Sequence, residues 1–191
     1  MKSSIKQSYL ELLNQNIRII NTNLEIIEDL NKQIKTIGVI WLLDVLTLYS
    51  DDVILRIYKL LESGGNKNSI PNIVKNITCT EKKKLFNKNT NEIKKLIDDI
   101  GLSTRRNNLI AHSDKDKDNA GFWGSRLSEE ETKKINDVSK KLKNLTREIN
   151  LEFGNNQINL NSYNYLVEQY KAFLGIVKKC LDFHNKRKLK M

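Results

Sequence analysis

The sequence predicts an all-α fold, an up-and-down helical bundle with extra helices. Apolar residues recur at steps of three and four along most of the chain, which is the helical period. Breakers are scarce, with one proline (Pro71) and eight glycines. No stretch alternates apolar and polar residues in the manner of a half-buried strand. The 191 residues fit one domain, and 39 % hydrophobic content suffices for a core. The expected organisation is a single domain over 1–191, with a long loop at 113–128 and a basic tail at 185–191.

The first helix is expected over 4–32, where Ile5, Tyr9, Leu12, Leu13, Ile17, Ile20, Leu24, Ile27 and Leu30 form one stripe. The second is expected over 34–62 and is apolar on most sides in its middle. It should therefore be the central, most buried helix, with Trp41 in the core. "SGGNKNS" (Ser63 to Ser69) ends it. Ser69 before Ile70 and Pro71 predicts a cap and a short helix to Ile77. A charged helix starts at Thr80 and runs until Gly101 kinks or ends it. Ser103 then reads as the N-cap of a new turn. That would set Arg105 and Arg106 near a helix N-terminus and His112 near its C-terminus. After a loop without apolar period, Ser128 and Glu131 form a capping box, with Leu127 as its staple. Helix resumes over 129–152, and a last helix is expected over 162–186.

The net charge of +10 favours polyanionic partners, nucleic acid first. Abundant Lys, Asn and Ile would also follow from an AT-rich coding sequence, so both origins of the charge stay open. Cys79 and Cys180 lack metal-ligand spacing and suit a reducing cytosol, so a cytoplasmic location is expected. The N-terminus has no uninterrupted apolar run of the signal-peptide kind. The most apolar stretch, Ile37 to Tyr49, is short for a bilayer and carries Asp44, so no membrane partner is expected.

Most enzyme templates fail. There is no Gly-rich phosphate loop, no H-E-x-x-H and no Cys-His cluster, so neither a metal nor another cofactor is expected. Asp114, Asp116 and Asp118 match the start of a calcium loop. The sixth position is Asn119 where Gly is needed, and the twelfth is Ser125 where a bidentate Glu is needed. A solvated loop explains these residues better.

What remains is "RRNNLIAHSDKD", from Arg105 to Asp116. Cleavage of an RNA phosphodiester needs a base for the 2′-hydroxyl proton, an acid for the leaving oxygen and a cation for the phosphate. Histidine suits the proton work, and the arginine fork suits the phosphate. At about 100° per residue, Arg105 and His112 share a helix face, whereas Arg106 and His112 diverge by about 120°. Asn108 is four residues before His112 and can orient its ring. One helix offers one His; a two-fold dimer through this helix would supply a second His and a second Arg. Spacing alone favours a helix with solvated arginines and a capping His.

The string "RNNLIAHSD" (Arg106 to Asp114) resembles the R-x(4–6)-H signature of the HEPN superfamily, with Asn107 as the polar residue after the Arg. It looks most like the abortive-infection branch, whose long second helix is also similar to Leu42–Ser63. The resemblance implies a HEPN-like bundle that dimerises through the motif helix. It implies a metal-independent endoribonuclease of a toxin–antitoxin or phage-defence system. Arg106 and His112 would be catalytic, with Arg105, Asn107 and Asn108 binding phosphate or orienting. Partners would be RNA, a second copy of the chain, and an antitoxin or defence protein. Some HEPN toxins carry a modifiable Tyr two residues after the His; Asp114 stands there. Some members are inactive, so the alternative is a non-catalytic module that binds nucleic acid or a protein. A nucleotide-binding accessory without nuclease activity is a more remote class. His184 has no Arg at the motif spacing and is expected at the surface or an interface. Trp123 is expected to pack the loop down, with base stacking as the alternative.

Overall fold

The computed structural model describes residues 5–37, 41–107 and 127–188. Among them are seven helices and no strand. They are α1 (Gln7–Ile37), α2 (Trp41–Leu61), α3 (Ile70–Val74), α4 (Thr80–Asp99), α5 (102–107), α6 (Glu129–Glu152) and α7 (Asn164–Lys188). The all-α bundle expected from the period is the fold.

The hub is α1, and not α2 as the apolar middle of α2 suggested. α1 packs against α2, α6 and α7, while α4 packs on α6 and α3 lies against α2 and α4. Leu13, Ile17, Ile20, Leu24, Ile27 and Leu30 are all buried, at steps of three and four along α1. Leu12, expected in the same stripe, is exposed. α2 buries Leu46, Val53, Ile54, Ile57 and Leu60 but leaves Leu48 and Leu55 exposed. These two are seven apart and mark one outward face of α2. The core is completed by Ile135, Val138, Leu142 and Ile149 of α6, and by Phe86, Ile93 and Ile97 of α4.

Helix ends follow local chemistry, with some departures from expectation. The α6 capping box forms as the sequence indicates: Glu131 N–H donates to Ser128 Oγ at 3.2 Å, and Ser128 N–H donates to Glu131 Oε2 at 2.9 Å. Leu127 is buried ahead of it, and its N–H donates to Ser50 Oγ at 3.1 Å, tying α6 to α2. Ser69 stands at the N-cap of α3, but its hydroxyl makes no capping bond. Gly101 ends α4 in the left-handed region at φ 79, where glycine carries no Cβ penalty. Helix then restarts at residue 102, so Ser103 lies inside α5 instead of capping it. The reason is a competing use: its hydroxyl is bonded to Asp98 and Tyr58. α7 continues to Lys188, past the point where the basic tail was expected to begin. The side chains of Trp41 and His184 lie outside the described residues.

Polar groups also lock α1 to α6. Asn14 and Asn150 exchange amide hydrogen bonds at 3.1 and 2.8 Å, and Asn155 Nδ2 donates to Asn150 Oδ1 at 2.9 Å. Asn150 is fully buried, and its remaining amide hydrogen reaches the Thr146 carbonyl at 2.8 Å. A satisfied buried amide specifies register, and breaking it leaves partners unpaired. Asn150→Ala is expected to lower unfolding free energy by about 1–3 kcal/mol in urea titration. An unchanged midpoint would show that the amide cluster does not hold the two helices.

Candidate functional site

The position of α5 is set by Leu102, which is buried in the core. Two consecutive helical residues point about 100° apart. Arg105 and Arg106 therefore leave α5 toward different neighbours.

Arg105 reaches α6 and pairs with Glu131, the residue that closes the capping box. Burial alone would raise the Glu131 carboxyl, but its bonds with Ser128 and the Arg105 guanidinium outweigh this and hold it below the usual range. Arg105 also stands near Asp51 of α2. Asp51 Oδ1 is buried without a hydrogen-bond partner among the described residues. Burial pushes the Asp51 carboxyl up to about 6, and the Arg105 guanidinium works against that.

Arg106 reaches the C-terminal end of α2 instead. It pairs with Glu62, and its guanidinium carbon lies 5.6 Å from the centre of the Tyr58 ring. Its Nη1 donates to Asn107 Oδ1 at 3.3 Å. The pair is more open than its neighbour: side-chain exposure is 31 % for Arg106 and 45 % for Glu62, against 22 % and 24 % for Arg105 and Glu131.

Beside Arg106 opens a cleft of about 400 Å³ between α2, α4 and α5. Tyr58, Glu62, Lys94, Asp98, Ser103 and Arg106 line it. Tyr58 Oη donates to Ser103 Oγ at 2.9 Å, and Ser103 Oγ donates to Asp98. Burial pushes the Tyr58 hydroxyl above its ordinary range, so it remains a donor at neutral pH. A second cleft of about 470 Å³ lies between α1, α6 and the α6–α7 connection. Its groups bond one another: Ser139 Oγ to Asn21 Oδ1 at 2.6 Å and Lys143 Nζ to Asn161 Oδ1 at 2.8 Å. It holds no arginine and none of the motif residues.

Of the residues singled out in the sequence, Arg105, Arg106 and Asn107 are described, and they lie on α5. Asn108, His112, Asp114, Asp116, Asp118 and Trp123 lie outside the described residues. Tyr58, Glu62, Asp98 and Asp51 join the arginines without having been singled out. Only Asp98 had a local signal, because an acid in the last turn of a helix opposes the dipole. Among the described residues, no group of three His, Cys, Asp or Glu could hold a metal ion. None of the described helices is long and apolar enough to cross a membrane.

A family model described as AbiU2, of the HEPN type, matches residues 9–173. No curated protein and no solved structure matches the chain.

Asp51 gives a pH signature. Its ordinary value is 3.8 and its folded value about 6, so the folded chain binds this proton more tightly than the unfolded chain. The Asp51 contribution to stability is thus fullest below the unfolded value and is lost as pH rises through about 6. Asp51→Asn is expected to have a higher urea midpoint than the parent at about pH 7, with the advantage shrinking by about pH 4. A gap between variant and parent that is the same at both pH values would contradict it.

Proposed function

Because the chain belongs to the AbiU2 family of HEPN proteins, whose setting is abortive infection, we propose that it is a metal-independent endoribonuclease. It would act in the cytoplasm, in a phage-defence or toxin–antitoxin system, as a homodimer. The observation that carries this reading is Arg106. It belongs to the R-N-x4-H string, and its guanidinium borders an open cleft, paired with the half-exposed Glu62 carboxylate.

In this mechanism His112 takes the proton from a ribose 2′-hydroxyl, whose oxygen attacks the adjacent phosphorus. The bond from phosphorus to the 5′-oxygen breaks, and His112 of the second copy protonates that oxygen. A 2′,3′-cyclic phosphate and a 5′-hydroxyl result. Arg106 holds the phosphate while charge builds, exchanging Glu62 for phosphate oxygens. Asn107 steadies the guanidinium through the hydrogen bond from Nη1. Arg105 is tied to Glu131 and supports the site by fixing α5 against α6. Asn108 orients the His112 ring, as their spacing of four allows. An antitoxin would act by covering this face.

A second reading is a non-catalytic module for nucleic acid or a protein partner. It is favoured by one observation: both motif arginines are already paired with carboxylates, as a purely structural site would keep them.

The deciding experiment is cleavage of single-stranded RNA by the purified protein in EDTA, with its mass measured in solution. His112→Ala is expected to lower the cleavage rate by about 100-fold or more. Arg106→Ala is expected to impair cleavage strongly while leaving the thermal midpoint near that of the parent. If His112→Ala cleaves as fast as the parent, the nuclease reading is wrong and the binding module remains.

A further inference from the structure

The cleft beside Arg106 contains more than a phosphate requires. Three elements converge on a hydrogen-bonded relay: Tyr58 of α2 donates to Ser103 of α5 at 2.9 Å, and Ser103 donates to Asp98 of α4. Asp98 stands in the last turn of α4, which has no basic residue, so its charge is set against the helix dipole. Its second oxygen, Oδ2, makes no hydrogen bond among the described residues. Ser103 Oγ gives one hydrogen bond and receives one, so a lone pair remains.

We propose that this cleft is a nucleobase subsite that reads guanine next to the phosphate held by Arg106. The inference rests on the RNA reading of that site and adds a base specificity to it. Asp98 Oδ2 and Ser103 Oγ place two acceptors on one wall. Guanine alone among the four RNA bases offers two neighbouring N–H donors, N1–H and the 2-amino group, on its Watson–Crick edge. Adenine and cytosine put a ring acceptor beside their amino group, and that acceptor would face a carboxylate or hydroxyl oxygen. Uracil offers one N–H between two carbonyls. Proteins read unstacked RNA bases by such edges, with an aromatic ring as the platform. Tyr58 borders the cleft with the Arg106 guanidinium 5.6 Å from its ring centre, and about 400 Å³ falls in the range of small-ligand pockets. Lys94, on the same cleft, supplies a second cation for the nucleotide phosphate.

The test uses the full chain and free nucleotides, so it does not depend on cleavage. GMP, AMP, CMP and UMP are titrated by calorimetry into the parent, Asp98→Asn and Ser103→Ala. The parent is expected to bind GMP about tenfold or more tightly than the other three. Asp98→Asn is expected to erase that preference without lowering the thermal midpoint, since it removes a charge opposed to the dipole. Ser103→Ala is expected to weaken GMP more than AMP. Equal binding of all four nucleotides, no binding at all, or an intact GMP preference in Asp98→Asn overturns the subsite. An Asp98-dependent GMP preference in a chain that does not cleave RNA leaves the subsite standing and removes the nuclease. Cleavage with no base or nucleotide preference does the reverse.

Discussion

The buried stripe on α1 is the contact on which the rest of the molecule depends. Six apolar residues from Leu13 to Leu30 are covered from three sides, by α2, α6 and α7. Burial of each such side chain contributes about 1.5–3 kcal/mol. Among the described residues, no other helix has three long partners in the principal contacts. Because α1 takes the inner face of α2, the other face of α2 is turned outward. Leu48 and Leu55 are exposed there, and Tyr58 and Glu62 lie where α5 can reach them. The start of α6 is fixed to α2 by the bond from Leu127 N–H to Ser50, so Glu131 stands on the other side of α5. The two anions that receive the arginines are thus set by the core.

The sequence made the helices legible because their period is strong and their caps are local. The α6 capping box from Ser128 to Glu131 needs only four residues to be recognised. Gly101 carries its own explanation in a positive φ. Which helix is central was less legible. The apolar middle of α2 predicts burial, but burial depends on how much neighbouring surface covers a helix, and α1 meets three long helices. Ser103 shows the limit of local rules. A serine near a helix start is a good cap in isolation, yet here a carboxylate from α4 and a phenol from α2 compete for its hydroxyl.

The site was legible to the same degree and for the same reason. The motif string draws attention to Arg105, Arg106 and Asn107, which are contiguous. Glu62, Tyr58 and Asp98 are brought to them only by folding, across 44 residues in the case of the Arg106–Glu62 bond. No pattern in one sequence encodes such a pairing. Asp98 is the exception, since its conflict with the helix dipole is visible from the sequence once the end of α4 is placed.

The two arginines differ in how easily they give up their partners. An exposed ion pair contributes about 0–1 kcal/mol, because water and salt offset most of its attraction. Arg106 and Glu62 are of this kind, so a phosphate can replace the carboxylate at little cost. Arg105 is less exposed, and its partner Glu131 also bonds the α6 N-terminus. Releasing Arg105 would loosen the capping box and leave Asp51 without the guanidinium that offsets its burial. A phosphate competing for Arg105 must therefore disturb α6, whereas one competing for Arg106 disturbs only a surface pair. Helix periodicity favours Arg105 only if the helix runs without a break to His112. Ease of exchange does not depend on that run, and it favours Arg106 as the phosphate ligand of the proposed site.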